Sequence, residues 1–320
     1  MICRLGLLTL MLGITACQSD GSLPFQSPSS SSSPTSSSPS SGPAAAPLGW
    51  RDIAAMPLPE AGKRLPYGKG PLQFGELRVP AGKGPHPVAL IIHGGCWLSA
   101  FNYQHITNLS ANLTKAGLAT WTIEYRRVGD SRGGWPGTFL DVAAAADHLR
   151  TLSAQYPLDL KRVVAVGHSA GGQLALWLAA RRRLDPDSEL HAANPLPLAG
   201  VVSLAGITDL KMYSVGADNS CNASVKPLLG GTPEEKPHRY AQVSPLELLP
   251  LGVPLRLIHG ARDSLVPPSM ARAFADQAKA QGDEVKIEIL DDAGHFELVA
   301  PQSTAWPVVR DAVLELVDLK

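Results

Sequence analysis

The feature that most constrains the fold is the pentapeptide Gly167-His168-Ser169-Ala170-Gly171, because of the segments that flank it. The mostly apolar residues 162–166 precede it and predict a strand, and residues 172–178 follow it and predict a helix. A sharp turn between a strand and a helix requires small residues on either side and exposes the serine hydroxyl above the sheet. The pattern therefore predicts Ser169 as a nucleophile, with an ordinary strand-to-helix turn as the alternative.

A nucleophilic serine needs a base to take its proton and a carboxylate to orient that base. Residues 253–260 predict a buried strand whose loop carries Asp263, and residues 284–290 predict another whose loop carries His295. Loops beyond the carboxyl ends of parallel strands converge on one crevice, so we predict that Ser169, Asp263 and His295 form a catalytic triad. Other carboxylates that follow strand-like runs remain open as orienters of the base: Asp209, Asp291 and Asp292.

The remaining histidines of the nine are expected to have structural roles. Three lie inside motifs, where we expect them to pack or hydrogen-bond at strand ends: His93, His168 and His259. The others are expected at surface or helix positions: His86, His105, His148, His191 and His238.

A third segment predicts donors for an oxyanion that develops during the reaction. Residues 88–92 are all apolar, as in a strand covered by helices on both faces, and the segment continues to Gly94, Gly95 and Cys96. Glycines let the backbone turn its N–H groups toward a substrate carbonyl, and the amide of Ala170 is the expected partner donor. A plain glycine-rich turn is the alternative.

Alternating strand and helix signals predict an α/β fold with a mostly parallel sheet and helices on both faces. Strands are predicted at 73–79, 118–125 and 198–204, and helices at 103–116 and 138–153. Residues 206–253 have no clear periodicity and predict a short insertion before the strand that carries Asp263. We expect this insertion to overhang a shallow pocket, which Trp97 and Trp135 line unless they are plain packing residues.

Five motifs in this order resemble the α/β-hydrolase superfamily and, within it, the HGGxW esterases. These include arylformamidase-like enzymes, acetylxylan and feruloyl esterase relatives, and prolyl-oligopeptidase-type domains. The motifs are HGGCW at 93–97, EYRR at 124–127, GHSAGG at 167–172, HGARDSLVP at 259–267 and AGHF at 293–296. The resemblance covers roughly residues 70 to 320 and implies the α/β-hydrolase fold. Hormone-sensitive-lipase relatives have a third glycine where this chain has Cys96, so the second oxyanion donor is Gly94, Gly95 or Cys96.

The function expected from these motifs is a serine hydrolase that cleaves a short-chain or aromatic carboxylic ester through an acyl-enzyme. The alternatives are an amide hydrolase of the arylformamidase or peptidase type and a catalytically silent binding protein, and the intact triad favours an enzyme. The chain is 44% apolar with a formal net charge of zero, which gives no reason to expect a nucleic-acid partner. No cofactor and no metal are expected; the expected partner is a small-molecule ester or amide.

The amino terminus predicts a separate, membrane-anchored segment. Residues 1–16 read as a signal peptide, and the following Cys17 completes a pattern similar to a bacterial lipobox, in which the cysteine is lipidated. Gln18 then favours the outer membrane, facing the periplasm; the alternative is cleavage after Ala16 and release. Residues 17–47 include a Ser/Pro-rich stretch, a disordered tether spanning about 30 Å, and residues 48–320 form the catalytic domain.

Two cysteines remain once the signal peptide is removed and Cys17 is lipidated. Cys96 belongs to the oxyanion turn, and Cys221 belongs to the insertion expected over the same crevice. Exported proteins tend to pair such cysteines, so we hypothesise a disulfide between Cys96 and Cys221, with two unpaired thiols as the alternative.

Overall fold

The computed structural model describes residues 46–216 and 220–319 of the chain. The predicted signal peptide, the lipobox with Cys17 and nearly all of the predicted tether lie outside these residues. None of the described helices is both long and apolar enough to span a membrane.

The described residues contain an eight-stranded sheet with the order β1-β2-β4-β3-β5-β6-β7-β8. Its strands are β1 (Lys63–Pro66), β2 (Phe74–Arg78), β3 (His86–Ile92), β4 (Ala119–Ile123), β5 (Leu158–His168), β6 (Gly200–Leu204), β7 (Leu255–Gly260) and β8 (Val285–Leu290). Strand β2 pairs antiparallel with β1 and β4, and all other neighbours are parallel. The predicted mostly parallel sheet is confirmed.

The helices are α1 (Trp50–Ala54), α2 (Thr107–Lys115), α3 (Gly137–Asp147), α4 (Leu149–Ser153), α5 (Ala170–Ala180), α6 (Leu210–Ser214), α7 (Ser220–Leu229), α8 (Pro237–Val243), α9 (Pro268–Ala280) and α10 (Trp306–Glu315). Helix α1 precedes the first strand, α10 follows the last, and the other helices lie between strands along the chain. The predicted helix at 103–116 begins as a 3-10 turn, Tyr103–Ile106, before α2. The predicted helix at 138–153 is divided at His148 into α3 and α4.

Side chains from the central strands alternate between two hydrophobic clusters, one on each face of the sheet. Val88 and Leu90 of β3 pack in the cluster that includes residues of α3, α5 and α9. Ala89 and Ile91 pack in the opposite cluster, which includes residues of α2 and α10. Because both faces are buried, the central strands are apolar at successive positions, and the prediction of helices on both faces is confirmed.

The insertion before β7, in which the sequence shows no clear periodicity, contains α6, α7 and α8. These helices have 5, 10 and 7 residues, shorter than the window in which helical periodicity is recognisable. The sequence does contain residues that favour the start of a helix at α6 and α8. Asp209 caps α6 by accepting hydrogen bonds from the amides of Lys211 and Met212, and Pro237 occupies the first turn of α8.

Candidate active site

Ser169 lies at the turn between β5 and α5, with a φ of 57°. This backbone conformation is unfavourable for a residue with a side chain, and it is held here by close packing. A Cβ on Gly167 would lie 2.0 Å from the carbonyl oxygen of Gly171, and one on Gly171 would lie 2.2 Å from the carbonyl oxygen of Ile92. The spacing of glycines around Ser169 is therefore a steric requirement of the turn.

Asp263 and His295 follow β7 and β8 at the same edge of the sheet, as predicted. His295 Nδ1 donates a hydrogen bond to Asp263 Oδ2 over 2.7 Å, and both side chains are buried. Asp263 Oδ1 accepts the amides of Leu265 and Val266 at 2.8 and 2.9 Å. These contacts fix the carboxylate and leave His295 Nε2 as the nitrogen able to accept a proton.

The surroundings of Asp263 favour its ionised form. Burial raises the pKa of this carboxyl, but hydrogen bonds from His259 and His295 outweigh burial and hold the pKa below its ordinary value. The carboxylate that accepts from His295 is Asp263 and not one of the others that the sequence left open. Asp209 caps α6, and Asp291 and Asp292 are exposed.

Ser169 and His295 line the same cavity, whose volume is about 580 Å³. Within the described residues, the Ser169 hydroxyl makes no hydrogen bond to the His295 ring. Such bonds are often long in unliganded serine hydrolases and tighten when substrate binds. The structure thus brings the three predicted residues to one site, and their catalytic roles stay predictions.

The oxyanion turn after β3 also reaches this cavity, through Gly95 and Cys96. Gly95 has a φ of 102°, and a Cβ there would lie 2.3 Å from the Phe101 Cβ, so only glycine fits. Within the described residues, the amides of Gly95, Cys96 and Ala170 donate no backbone hydrogen bond in turns or loops. Gly94 is buried and is not among the residues that line the cavity. A Cβ there would lie 2.7 Å from the carbonyl oxygen of His168.

A buried ion-pair network supports the oxyanion turn from below. His93 Nε2 lies 2.9 Å from Glu124 Oε1, and Arg127 Nη1 lies 3.1 Å from the same oxygen. Arg127 also donates to the backbone carbonyl of Phe101. The Tyr125 ring stacks on His93 with centroids 4.3 Å apart, so the EYRR motif holds the HGGCW motif in place.

The structure joins Cys96 and Cys221 in a disulfide, with the two Cα atoms 4.7 Å apart. The bond connects the oxyanion turn to α7, and both residues line the cavity. The insertion therefore contributes to the wall of the cavity, as the hypothesis of a disulfide required.

His168 and His105 form a buried layer beneath Ser169 and His295. His168 Nε2 donates to the backbone carbonyl of His295 over 3.0 Å, and its ring centroid lies 6.2 Å from that of His105. His105 lies in the 3-10 turn Tyr103–Ile106, consistent with the expected surface or helix position, and it is buried and lines the cavity. Burial lowers the pKa of His105 to about 3 and holds the pKa of His168 well below the ordinary histidine value.

The prediction that Trp97 and Trp135 line the pocket is wrong. Trp97 is fully buried in the core, where its indole N–H donates to Gln173 Oε1 over 3.1 Å. Trp135 packs against Phe139 and donates its N–H to Glu189. Neither side chain lines the cavity, because the turns that carry these residues direct them into the protein interior or away from Ser169.

Aromatic residues that the sequence reasoning did not select form one wall of the cavity: Trp50, Phe101 and Phe296. Phe296 follows His295 within the AGHF motif, so a signal for it existed. Trp50 and Phe101 stand outside every motif, and only tertiary contacts bring them to the site. Among the described residues, no group of three or more His, Cys, Asp or Glu side chains is placed to hold a metal ion.

The family model that matches this chain spans residues 77–278, which include Ser169, Asp263 and the oxyanion turn. Its description is BD-FAE. The chain belongs to the BD-FAE family. The match ends before His295, whose assignment therefore depends on the structure and on the order of the motifs.

Similar curated proteins include two from Mycobacterium tuberculosis (strain ATCC 25618 / H37Rv). Esterase LipC is 26% identical over 245 residues, which cover 74% of this chain and 60% of LipC. The probable carboxylic ester hydrolase LipM is 28% identical over 211 residues, covering 61% of this chain and 46% of LipM. The chain thus spans about half the length of these relatives.

Among solved structures, a truncated form of a carbohydrate esterase from gut microbiota superposes with a TM-score of 0.70. It is 20% identical in sequence, and the match covers 82% of this chain and 97% of that structure. With the order and direction of the strands, this likeness confirms the α/β-hydrolase fold.

Proposed function

We propose that this protein is a carboxylic ester hydrolase that forms an acyl-enzyme on Ser169. The observation that carries the proposal is the 2.7 Å hydrogen bond between His295 and Asp263 in the cavity that Ser169 also lines. The family and the names of the matched relatives support an ester as the substrate. The proposal extends to short-chain or aromatic acyl groups, which a cavity of about 580 Å³ can hold.

In the proposed reaction, His295 Nε2 takes the hydroxyl proton while Ser169 Oγ attacks the ester carbonyl. The tetrahedral oxyanion accepts hydrogen bonds from the amide of Ala170 and from that of Gly95 or Cys96. His295 then gives its proton to the departing alcohol, which leaves an acyl-enzyme. Water, deprotonated by the same nitrogen, attacks the acyl carbonyl, and His295 returns the proton to Ser169 Oγ as the C–Oγ bond breaks and the carboxylic acid leaves. Asp263 stabilises the imidazolium in both steps.

The test of this proposal is the variant Ser169→Ala. Loss of the nucleophile removes the covalent route, so we expect ester turnover to fall by about a million-fold or to the detection limit. A fluorophosphonate probe should label the wild type and not the variant, and Ser264→Ala, which changes another serine lining the cavity, should still be labelled. If the probe still labels the Ser169→Ala variant, Ser169 is not the nucleophile.

The choice between ester and amide substrates needs a direct comparison. Matched esters and amides with the same acyl group form the same acyl-enzyme on Ser169, so their deacylation rates are equal. Their kcat/KM values then differ only through substrate binding, the attack step and the departure of the leaving group. We expect higher values for the esters, and a preference for the amides would indicate the arylformamidase or peptidase type. Absence of turnover on both, with a folded protein, would favour the silent binding protein.

We also propose that the protein is a lipoprotein of the bacterial cell envelope, anchored through Cys17. The support is the sequence of the amino terminus, where a short apolar segment precedes Cys17. On this proposal, the Ser/Pro-rich tether connects the lipid to the catalytic domain, which faces the periplasm from the outer membrane.

A further inference from the structure

A short segment preceding the family match forms part of the cavity. Pro47, Leu48, Gly49 and Trp50 line it together with Ser169, although the family model begins only at residue 77. We call these residues the 47–50 segment. The family match therefore omits one wall of the candidate site.

Glu297 holds the 47–50 segment against the loop that carries His295. One oxygen of its carboxylate accepts the amide of Leu48, and the other accepts the amide of Gly294 over 2.8 Å. Gly294 also allows close approach, because a Cβ there would lie 2.7 Å from the Pro47 Cβ. The position of the segment is thus coupled to the backbone next to His295.

Trp50 brings a large aromatic surface to this wall. Its ring meets the Phe101 ring edge to face, with centroids 4.8 Å apart, and the Phe296 ring at 6.2 Å. No aspartate or glutamate is among the described residues that line the cavity. Arg262 is the one lysine or arginine among those described lining residues, so the preference for a flat, apolar ring belongs to the aromatic wall and not to the whole cavity.

The chemistry identifies which part of an ester meets this wall. His295 must donate its proton to the departing oxygen, so the alcohol lies on the His295 side of the cavity. Phe296 lies on that side, since its ring meets the His295 ring edge to face at 5.0 Å. The Trp50 and Phe296 ring centroids are 6.2 Å apart, so the aromatic wall extends from the alcohol side, at Phe296, to Trp50.

We propose that Trp50 is a specificity-determining residue that forms, with Phe101 and Phe296, a subsite for alcohol leaving groups carrying a flat aromatic ring. This inference rests on the proposed ester hydrolysis. A small alkyl alcohol would leave this surface unused, whereas a naphthyl or phenyl ring would pack against it.

The experiment compares 1-naphthyl acetate with ethyl acetate on full-length wild type, Trp50→Leu and Trp50→Phe. Both esters give the same acetyl-enzyme, so the ratio of their kcat/KM values reports the effect of the leaving group. The two esters differ in intrinsic reactivity, but this difference is the same for every variant and cancels when the ratios are compared. Leucine keeps apolar volume without a ring, whereas phenylalanine keeps a ring. We expect Trp50→Leu to lower the naphthyl-to-ethyl ratio about threefold to tenfold and Trp50→Phe to retain most of it.

Leu58→Ala is the matched control, because Leu58 is 58% exposed and lies outside the cavity. It should leave the ratio unchanged. If the naphthyl-to-ethyl ratio is unchanged or higher in a folded Trp50→Leu variant, the subsite is overturned. It is also overturned if Trp50→Leu changes kcat/KM only across a series of esters that differ in the acyl group and share one alcohol. Hydrolysis of ethyl acetate by wild type but not by Ser169→Ala tests the proposed function separately, so a failure of the subsite alone can be told apart from a failure of the proposed function.

Discussion

A single buried carboxylate orients the candidate base. Asp263 accepts hydrogen bonds from the His295 ring and from the amides of Leu265 and Val266. His259 Nε2, which lies 2.8 Å from the Val266 carbonyl oxygen, is 3.3 Å from Asp263 Oδ2. An isolated buried charge would be strongly destabilising, and these donors compensate for the lost hydration. The arrangement keeps the proton on His295 Nδ1 and the lone pair on Nε2.

The substitution Asp263→Asn tests this role. An amide cannot stabilise the imidazolium and can hold the ring in the wrong tautomer, so we expect kcat to fall by up to about 10⁴-fold. Asp291→Asn, at an exposed position in the His295 loop, should retain wild-type kcat. Thermal unfolding of each variant separates loss of catalysis from loss of fold, and an equal drop in Asp291→Asn would contradict the assignment of Asp263.

His105 should make stability depend on pH. Burial lowers its pKa to about 3, so the folded state keeps it neutral while the unfolded chain binds a proton below about pH 6.5. The unfolded state therefore binds more protons, and stability falls as pH decreases from about 6.5 toward 3.

His105→Gln removes this proton linkage. The slope of the unfolding free energy against pH should decrease by up to about 1.4 kcal/mol per pH unit across that range. Urea unfolding between pH 4 and 7 measures the slope, and the exposed His238→Gln serves as the control. If His105→Gln has the slope of the wild type, His105 does not titrate differently in the two states.

At the scale of elements, the disulfide ties the turn after β3 to α7. Its two cysteines are 125 residues apart in the sequence, so the bond closes a large loop of the unfolded chain. Residue 221 of α7 lines the cavity, and the disulfide fixes α7 to the turn whose backbone would bind the oxyanion. The connection should therefore affect both stability and catalysis.

We expect a non-reduced tryptic digest to contain a peptide in which Cys96 and Cys221 are linked. Reduction should lower the unfolding free energy by about 2–5 kcal/mol, a value typical of native disulfides. Cys221→Ser should reproduce this loss and also reduce kcat, because α7 is no longer held against the turn. Free alkylation of both cysteines without reductant would show that packing alone connects these elements.

At the scale of the whole molecule, the lipobox proposal makes one prediction about location. Cys17→Ser removes the sulfur that would carry the lipid. We expect the variant to move from the membrane fraction to the soluble periplasmic fraction, with unchanged kcat/KM toward a soluble ester. A wild-type protein that is already soluble would contradict the lipid anchor.

The sequence by itself predicted the elements with strong local signals. Apolar runs located the central strands, and the sterically required glycines around Ser169 located the turn that exposes it. The order of Ser169, Asp263 and His295 was informative because parallel strands place their following loops at one edge of a sheet. These signals are local, or follow from a general rule about sheets, and need no knowledge of packing.

Only the tertiary structure decided which other side chains reach the cavity. Trp97 and Trp135 stand in or near motifs yet point away from it, whereas Trp50, far from Ser169 in sequence, forms a wall. His105 lies in a helical turn, as expected, but only tertiary contacts bury it and bring it to the cavity. The direction of a side chain from a turn depends on φ and ψ there, and the meeting of distant segments depends on packing of the whole chain. Neither is encoded in local periodicity, so the sequence determined the sheet and the candidate triad, and folding determined the cavity around them.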